Sequence, residues 1–385
     1  MSFYEKGWKD MSKRFFPESR WPTAAEVSAV VDGDSGFLAL YTLLAHKHAL
    51  TTMEVSPTLG TFVAAWRAYC EFFAVVDAGA APIAVPPAWA YDIVSELAWH
   101  CQQYHELRLR PLGLDRAADS EAGRSADVEA DAAADSAELG DGVTEADVGA
   151  AWQLTDVLAM LQRAVDSSGI VAALAVGDPP LHSNFRLAIG YFSMAVLVRL
   201  YTKIGDYGSA LELARPLNVV ADEGPFARIP RAHLSLQSYA AFACIMSRRF
   251  DDAFRICNRT LASCQRSTTP VFTSDREGGP TVHFLLRKLG EKVLAMLALC
   301  VAVLPGVTVD EAVRRTLRDK HGDKIDRISR SGGAATSSTG SAAGAGAGAA
   351  AGASTAAAAA VDADAAAADV ATLFAVAAPG FITLA

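Results

Sequence analysis

Leu200–Ala214 reads LYTKIGDYGSALELA, and Ala243–Cys257 reads ACIMSRRFDDAFRIC. Both stretches run from an apolar segment through a tight turn into a second helix that begins with an aromatic residue. A small alanine one turn later lets two helices approach closely, while the aromatic ring fills the wedge beside the turn. This is the design of a helical hairpin, which tetratricopeptide repeats use at a period of about 34 residues. The alignment predicts packing roles for three equivalent pairs: Tyr207 and Phe250, Ala210 and Ala253, and Leu211 and Phe254.

The two copies lie 43 residues apart, a longer spacing than that of a regular array. We therefore expect an all-α fold of stacked, irregular hairpins, a tetratricopeptide-like solenoid. Elsewhere apolar residues recur three or four positions apart, from Leu59 to Phe73 and from Trp89 to Tyr104, as one face of a helix requires. No run of alternating apolar and polar residues bounded by turn signals predicts a strand. Solenoids expose long surfaces and rarely enclose a catalytic pocket, which favours a binding role over an enzyme.

The negative charge of the chain is concentrated in one segment. The 385 residues contain 34 Lys and Arg against 43 Asp and Glu, a net charge of −9. Residues 115–147 alone hold eleven acidic residues against Arg116 and Arg124, with almost no large apolar side chain. Such a composition cannot bury enough surface to offset its ordering entropy, which predicts a disordered acidic insertion. The body is near neutral, which excludes a strongly basic nucleic-acid-binding surface over the whole protein.

Composition divides the chain into five segments. Residues 341–360 consist only of Ala, Gly, Ser and Thr, so we expect an Ala/Gly-rich tail without a fixed partner. Thr144 and Asp147 have capping-box spacing, which predicts that helix resumes after the acidic insertion. The predicted segments are an N-terminal helical region (1–114), the acidic insertion (115–143), a helical-repeat region (144–330), a low-complexity Ala/Gly/Ser linker (331–369) and a short helical remnant (370–385).

The string Gly33-Asp34-Ser35-Gly36 also surrounds the nucleophile of chymotrypsin-like serine proteases. In those enzymes the histidine base precedes the serine in the chain, whereas the first histidine here is His46. The string leads directly into an apolar helix start, where Ser35 or Asp34 can serve as the N-cap. We interpret it as a capped helix and expect no catalytic residue, with a serine hydrolase using Ser35 as a remote alternative.

The histidines do not have the spacing of a metal site. His46 and His48 are two positions apart, and His100 and His105 are five apart. On a helix neither spacing points two rings towards one ion. We therefore expect no metal ion and no other cofactor.

The cysteines and the N-terminus predict a soluble, cytoplasmic protein. Six cysteines without a CxxC motif do not make a disulfide framework. Cys257 and Cys264 are seven positions apart and therefore lie on one face of a helix, which favours packing in the core. The first ten residues are charged and lack the apolar core of a signal peptide. No stretch has the roughly 20 large apolar residues of a spanning helix, so no membrane association is expected.

A basic helix face is predicted near the end of the repeat region. Acidic residues are interleaved with the basic ones, a pattern that is most common on a solvent-exposed helix face with salt bridges along it. Contact with phosphates is the alternative, although no interleaved aromatic residues indicate base stacking. The candidate residues for binding RNA or a partner are Arg314, Arg315, Arg318, Lys324 and Arg327.

Several stretches, spread in order over the chain, resemble the family of eukaryotic translation initiation factor 3 subunit L, which is also described as RNA polymerase I-associated. Short strings carry the resemblance rather than one diagnostic motif. They are Tyr4-Glu5-Lys6, Arg14-Phe15-Phe16, Phe37-Leu38-x-Leu40-Tyr41, Trp89-x-x-Asp92-Ile93, Gln102-x-Tyr104, Gly190-Tyr191-Phe192-Ser193, Gly205-Asp206-Tyr207 and Leu317-Arg318-x-Lys320-x-Gly322-Asp323-Lys324.

The resemblance implies a non-catalytic scaffold that supports recruitment of messenger and initiator transfer RNA to the small ribosomal subunit. Its implied partners are other initiation factor 3 subunits, especially K and E. It also implies that this chain corresponds to the N-terminal helical-repeat part, with residues 370–385 leading towards a PCI domain that this sequence does not contain. The alternative is a scaffold of another PCI-type assembly, such as the proteasome lid or the signalosome.

Overall fold

A computed structural model shows an all-helical protein. Within the described residues there are fourteen α-helices and one short 3₁₀ helix, and these residues include no strand, which confirms the predicted all-α class. The structure describes residues 14–15, 21–52, 57–79, 85–109, 143–177, 179–181, 184–219, 229–266, 280–304, 306–337 and 351–380.

The helices belong to two compact units, and within the described residues the chain passes from one unit to the other after Ile170, after Pro179 and after Ser193. The first unit contains the described residues up to Ile170 together with Pro180–Ser193. Its complete helices are α1 (Ala24–Ser28), α2 (Ser35–Thr52), α3 (Leu59–Ala78), α4 (Pro87–Leu109), α5 (Glu145–Ala150) and α6 (Leu154–Ser168).

Helix α3 is the centre of the first unit, because it packs against α2, α4, α5 and α6. The Thr58 hydroxyl caps its N-terminus by accepting from the Thr61 amide, and Gly79 ends it with φ +62°. The predicted apolar stripe is buried, with Phe62, Val63 and Phe73 all at most 3% exposed. Helices from both sides of the predicted acidic insertion therefore share one core.

The second unit contains Val171–Pro179 and the described residues from Met194 onward. Each helix from α9 to α13 packs against the next, and α10 also packs against α12, and α11 against α13. This is a stack of antiparallel hairpins, as the solenoid prediction requires. The remaining elements are α7 (Ile170–Val176), α8 (Phe185–Ile204), α9 (Tyr207–Ala214), the 3₁₀ helix (Arg215–Leu217), α10 (Pro230–Met246), α11 (Phe250–Arg266), α12 (Pro280–Val303), α13 (Glu311–Ser337) and α14 (Ala351–Ala377).

The C-terminal helices differ from the predicted segments. Helix α13 continues to Ser337, past the predicted end of the repeat region at 330, and α14 runs through the predicted boundary at 369. Helix α14 packs against α12 and α13, so the predicted linker carries part of an ordered element. Alanine has a high helix propensity, so an alanine-rich segment can form a helix when neighbouring helices offer a surface to pack against. Residues 110–142 and 338–350, which include most of the predicted acidic insertion and part of the linker, lie outside the described residues.

Two of the described helices, α3 and α8, are long and apolar enough to cross a membrane by length and composition, and the bent pair α6 and α7 makes a third on the same criterion. The prediction that no stretch reaches this level counted only large apolar side chains, whereas alanines also raise hydropathy. Within the protein 50% of the apolar window of α3 and 78% of that of α8 are buried. Packing against neighbouring helices accounts for the apolar face of α3.

Candidate protein-interaction surface

The turn of the first predicted hairpin is built by Gly205 and Asp206. Gly205 has φ +97°, a conformation that costs a glycine little. Asp206 caps α9, because its carboxylate accepts from the Ser209 amide at 3.1 Å and from the Ser209 hydroxyl at 2.7 Å. These hydrogen bonds lower the pKa of Asp206. The chain therefore reverses sharply between α8 and α9.

The second hairpin reverses through a different turn at the equivalent position. Arg248 adopts φ +59° without being a glycine. Beside it, Arg249 forms an ion pair with Asp252 at 2.6 Å, in the first turn of α11. The same chain reversal is thus made by a glycine and an aspartate cap in one hairpin and by an arginine-supported turn in the other.

The residues predicted to pack the repeat are buried or half-buried in these hairpins. Ala210 and Ala253 are both 0% exposed, each on the second helix of its hairpin. The Tyr207 ring meets Phe242 of α10 edge to face, with centroids 6.2 Å apart. Because α9 packs against α10, the Tyr207 ring lies in the contact between these two helices. The other predicted members are half-buried: Leu211, Phe250 and Phe254.

Three exposed apolar side chains mark the turn ends of successive hairpins. Ile204 ends α8, Met246 ends α10 and Val303 ends α12, with exposures of 42%, 38% and 50%. Helices α10 and α12 pack side by side, and Arg199 of α8 lies over the Tyr239 ring of α10 at 6.0 Å. We call Ile204, Met246 and Val303 the hairpin edge. Because each of them ends the first helix of a hairpin, they are candidates for a protein-binding surface of the solenoid.

The predicted basic face lies on α13, where carboxylates neutralise much of it. Arg314 pairs with Glu311 at 2.9 Å, and Arg315 approaches Asp319 at 4.0 Å. Arg318 is exposed, and Lys324 is half-buried. These ion pairs are typical of a solvent-exposed helix face with salt bridges rather than of a continuous cationic surface. RNA binding by these residues stays a prediction.

Arg327, the fifth predicted basic residue, is committed to an internal contact. Its guanidinium donates from Nε and Nη2 to the two carboxylate oxygens of Asp369, at 2.6 and 3.0 Å. The Asp369 carboxyl is largely shielded, and its pKa is lowered by the hydrogen bonds from Arg327. Lys292 of α12 also donates to the carbonyl oxygen of Ala378, just after α14. Sequence reasoning missed both contacts, because it assigned Asp369 to a linker and because no local pattern joins Lys292 to Ala378.

Two of the four histidines weighed as metal ligands are used in hydrogen bonds of the first unit. His100 shares a hydrogen bond with the Tyr69 hydroxyl at 3.2 Å, and His105 donates to the carbonyl oxygen of Trp152 at 3.1 Å. Burial, followed by the nearby charge of Lys47 and by His46, lowers the pKa of His100 to about 4. The imidazole is therefore neutral near pH 7, as a core histidine requires.

His48, on α2, stacks with the Trp21 ring at a centroid separation of 5.3 Å. Burial lowers the pKa of both His46 and His48. In the part of the chain that the structure describes, no group of three or more His, Cys, Asp or Glu side chains is arranged to hold a metal ion.

Asp34, rather than Ser35, caps helix α2. The Asp34 carboxylate accepts from the Phe37 amide at 3.0 Å, and Ser35 is the exposed first residue of the helix. Gly33 precedes the cap with φ +70°. The GDSG string therefore forms a turn and a cap, a structural arrangement that leaves Ser35 facing solvent.

The six cysteines are free thiols in the structure. Cys257 is fully buried, and burial raises its pKa well above the usual range. Burial also raises the pKa of Cys264 to about 11 and that of Cys300 to about 12. Thiols with raised pKa values are poor nucleophiles near pH 7, so these three cysteines lack the lowered pKa that is typical of a reactive cysteine.

Comparison with known proteins finds several similar chains. Subunit L of eukaryotic translation initiation factor 3 from Danio rerio is 26% identical over 340 residues, which cover 85% of this chain and 54% of the relative. The subunits L of Gallus gallus and Homo sapiens are 27% and 26% identical over the same length, each with 85% of this chain and 55% of the relative covered. The resemblance predicted from short strings is thus confirmed.

The chain spans about half the length of the curated relatives it matches. The sequence model of the family described as RNA polymerase I-associated factor PAF67 matches residues 61–342. That range begins in α3 and includes all the hairpins from α8 to α13. Because it covers more than half of the 385 residues, the chain belongs to the RNA polymerase I-associated factor PAF67 family.

Proposed function

We propose that this chain is a non-catalytic scaffold subunit of the eukaryotic translation initiation factor 3 complex, acting in the cytoplasm. The observation that carries the proposal is the similarity to relatives named subunit L, which extends over 85% of this chain. An all-helical stack of hairpins supports the same role, since it offers long surfaces to other subunits. As part of that complex the chain supports recruitment of messenger RNA and initiator transfer RNA to the small ribosomal subunit.

The proposed partners are other subunits of the complex, especially subunits K and E. The hairpin edge is the proposed contact, because Ile204, Met246 and Val303 expose apolar surface at successive hairpin ends. Binding through such residues depends on burial of apolar area. We therefore expect it to be weakly sensitive to salt, unlike binding through the charges of α13.

Direct binding between the purified chain and purified subunit K tests this proposal. We expect association at micromolar concentration. The binding should persist when the salt concentration is raised from about 0.15 M to about 0.5 M, because added salt screens interactions between exposed charges but not apolar contacts. The triple variant Ile204→Asp, Met246→Asp, Val303→Asp should weaken binding at least about tenfold, because charges replace apolar contacts. Val30→Asp, at an exposed valine in the first unit, is the matched control and should bind as the wild type does.

Absence of association at micromolar concentration contradicts the partner assignment, and loss of binding at modest added salt contradicts the apolar mode. Capture of a tagged chain from native lysate, followed by mass spectrometry, identifies the complex to which the chain belongs. Recovery of initiation factor 3 subunits supports the proposal, whereas recovery of proteasome-lid or signalosome subunits supports the alternative scaffold. Labelling of Ser35 by an active-site serine probe overturns the non-catalytic assignment.

A further inference from the structure

Helix α14 packs against α12 and α13 through a narrow buried stripe. The members of this stripe recur every three or four positions and are at most 9% exposed: Ala366, Asp369, Leu373 and Ala377. Among the side chains that the structure describes from Ala363 onward, Leu373 is thus the one large apolar side chain that α14 buries fully. Next to it, the Phe374 ring lies 5.7 Å from the Phe242 ring of α10. Most other side chains of this part of the helix are exposed.

Three cationic side chains of the neighbouring helices interact with α14. The Arg327 guanidinium of α13 donates to both carboxylate oxygens of Asp369, and Lys292 of α12 donates to the carbonyl oxygen of Ala378. The hydrogen bonds from Arg327 lower the pKa of Asp369, and the nearby charge of Lys324 lowers it further. The Arg327 side chain is 45% exposed, whereas that of Asp369 is 12% exposed. The surface beneath α14 therefore combines an aromatic ring with cationic groups, one of which is partly open to solvent.

The helix that occupies this surface is acidic. Helix α14 contains no basic residue and three aspartates, which are Asp362, Asp364 and Asp369. Asp369 and Leu373 are four positions apart, so they share one face of the helix. These contacts define the ligand that the surface accepts. It is an amphipathic helix that offers a carboxylate to Arg327 and carries an apolar side chain four positions later.

Helix α14 contributes much less to the core than the helices beneath it. Eight consecutive residues of α12, Val293–Cys300, are each at most 7% exposed. The buried stripe of α14 consists instead of two alanines, one leucine and one paired aspartate. Elements with few buried apolar contacts open locally at the lowest free energy. We therefore expect α14 to open while α10, α12 and α13 stay folded.

We propose that the surface of α10, α12 and α13 beneath α14 is a docking site for an acidic amphipathic helix of a partner protein, and that α14 is its exchangeable intramolecular occupant. A partner helix must compete with α14, so its apparent affinity is reduced in proportion to the fraction of chains in which the site is open. Helix α14 thereby restricts the site to partners that bind it more tightly than α14 does. The site uses none of the hairpin-edge residues, so it does not depend on which complex the chain belongs to.

Binding of a fluorescent peptide of residues 363–380 to the full chain, measured by anisotropy, tests the proposal. Leu373→Asp in the chain weakens the docking of its own α14, so the peptide should bind this variant at least about tenfold more tightly than the wild type. Asp369→Asn, a milder change, should give an intermediate gain. Ala371→Asp, at an exposed position of the same helix, is the matched control and should bind the peptide as the wild type does. Equal affinity for all four chains, or no binding to the Leu373→Asp chain, overturns the exchange.

Charge reversal tests the contact with Arg327. Asp369→Lys in the peptide should weaken its binding to the Leu373→Asp chain at least about tenfold, because two cations then face each other. Adding Arg327→Asp to that chain should restore binding of the reversed peptide and weaken binding of the original one. Unchanged peptide preferences contradict the site.

Sedimentation of the full chain distinguishes a partner helix from a second copy of this chain. We expect the wild type to remain monomeric at micromolar concentrations. A wild-type dimer that Leu373→Asp abolishes would assign the site to α14 of a second copy and would overturn the partner assignment.

Discussion

Arg327 of α13 and Asp369 of α14 form a two-point ion pair, with Nε to Oδ2 at 2.6 Å and Nη2 to Oδ1 at 3.0 Å. A bidentate arginine–carboxylate pair fixes the orientation of both groups as well as their separation. The Phe374 ring adds an apolar contact, with its centroid 5.7 Å from that of Phe242 on α10. An alanine-rich helix with little affinity of its own is thus held on the hairpin stack by specific side chains.

Asp369→Asn should loosen α14 without unfolding the second unit. The amide keeps the shape of the carboxylate but loses its charge and one acceptor, so the pair with Arg327 is weakened. We expect faster amide exchange in α14 and unchanged exchange in α11. Asp364→Asn, at an exposed position of the same helix, is the control. Equal exchange rates in both variants would show that apolar packing alone holds α14.

Gly190→Ala should destabilise the first unit by about 1–3 kcal/mol. A Cβ at Gly190 on α8 lies 2.0 Å from the Ser168 hydroxyl oxygen and 3.2 Å from the Ala164 carbonyl oxygen of α6. Two helices that cross this closely cannot accept a methyl group without moving apart. Urea denaturation measures the change. Gly149→Ala meets no atom within 4 Å and should not destabilise the protein, and a similar loss in both variants would contradict the crossing.

Trp152→Phe should cost about 1–3 kcal/mol of the free energy of unfolding, because it removes a buried donor. Trp152 is 0% exposed, and its indole N–H donates to the carbonyl oxygen of Phe62 in α3 at 2.7 Å. Phenylalanine also leaves part of the ring volume empty. Trp99→Phe, on the exposed side of α4, should stay within about 0.5 kcal/mol of wild type. Thermal and urea unfolding of both variants measure the difference.

Acidification should destabilise the first unit through His100. Its folded-state pKa of about 4 lies below the unfolded value, so the unfolded chain binds the proton first as the pH falls. Stability is present above about pH 6.5 and declines towards pH 4, with a loss of about 2 kcal/mol between pH 7 and pH 5. His100→Gln should reduce this slope in urea titrations across that range. An unchanged slope would assign the acid sensitivity to other groups.

Asp34→Ala should destabilise α2 by about 1 kcal/mol, because the Phe37 amide loses its capping acceptor. Ser35→Ala should leave stability within about 0.5 kcal/mol of wild type, since alanine is a good helix former at an exposed first position. Thermal unfolding of the two variants compares neighbouring residues of the same string. The opposite ranking would make Ser35 the cap.

The sequence alone determined the local features of this protein. The repeated order of an apolar helix, a tight turn and an aromatic residue followed by alanine predicts the hairpins, because Ala210 and Ala253 permit close approach wherever the partner helix lies. The stripe around Phe62 and Val63 predicts a buried helix face by periodicity. These inferences depend on residues within about one or two turns of each other, for which spacing translates directly into a shared face.

Only the tertiary structure decided which distant residues meet. Asp369 contacts Arg327 across 42 positions, Trp152 reaches Phe62 across 90, and Gly190 faces Ser168 on another helix. No local pattern encodes these contacts, because each depends on how whole helices pack and on where the chain returns. Spacing along the chain sets the face of each helix, and packing sets which faces become neighbours.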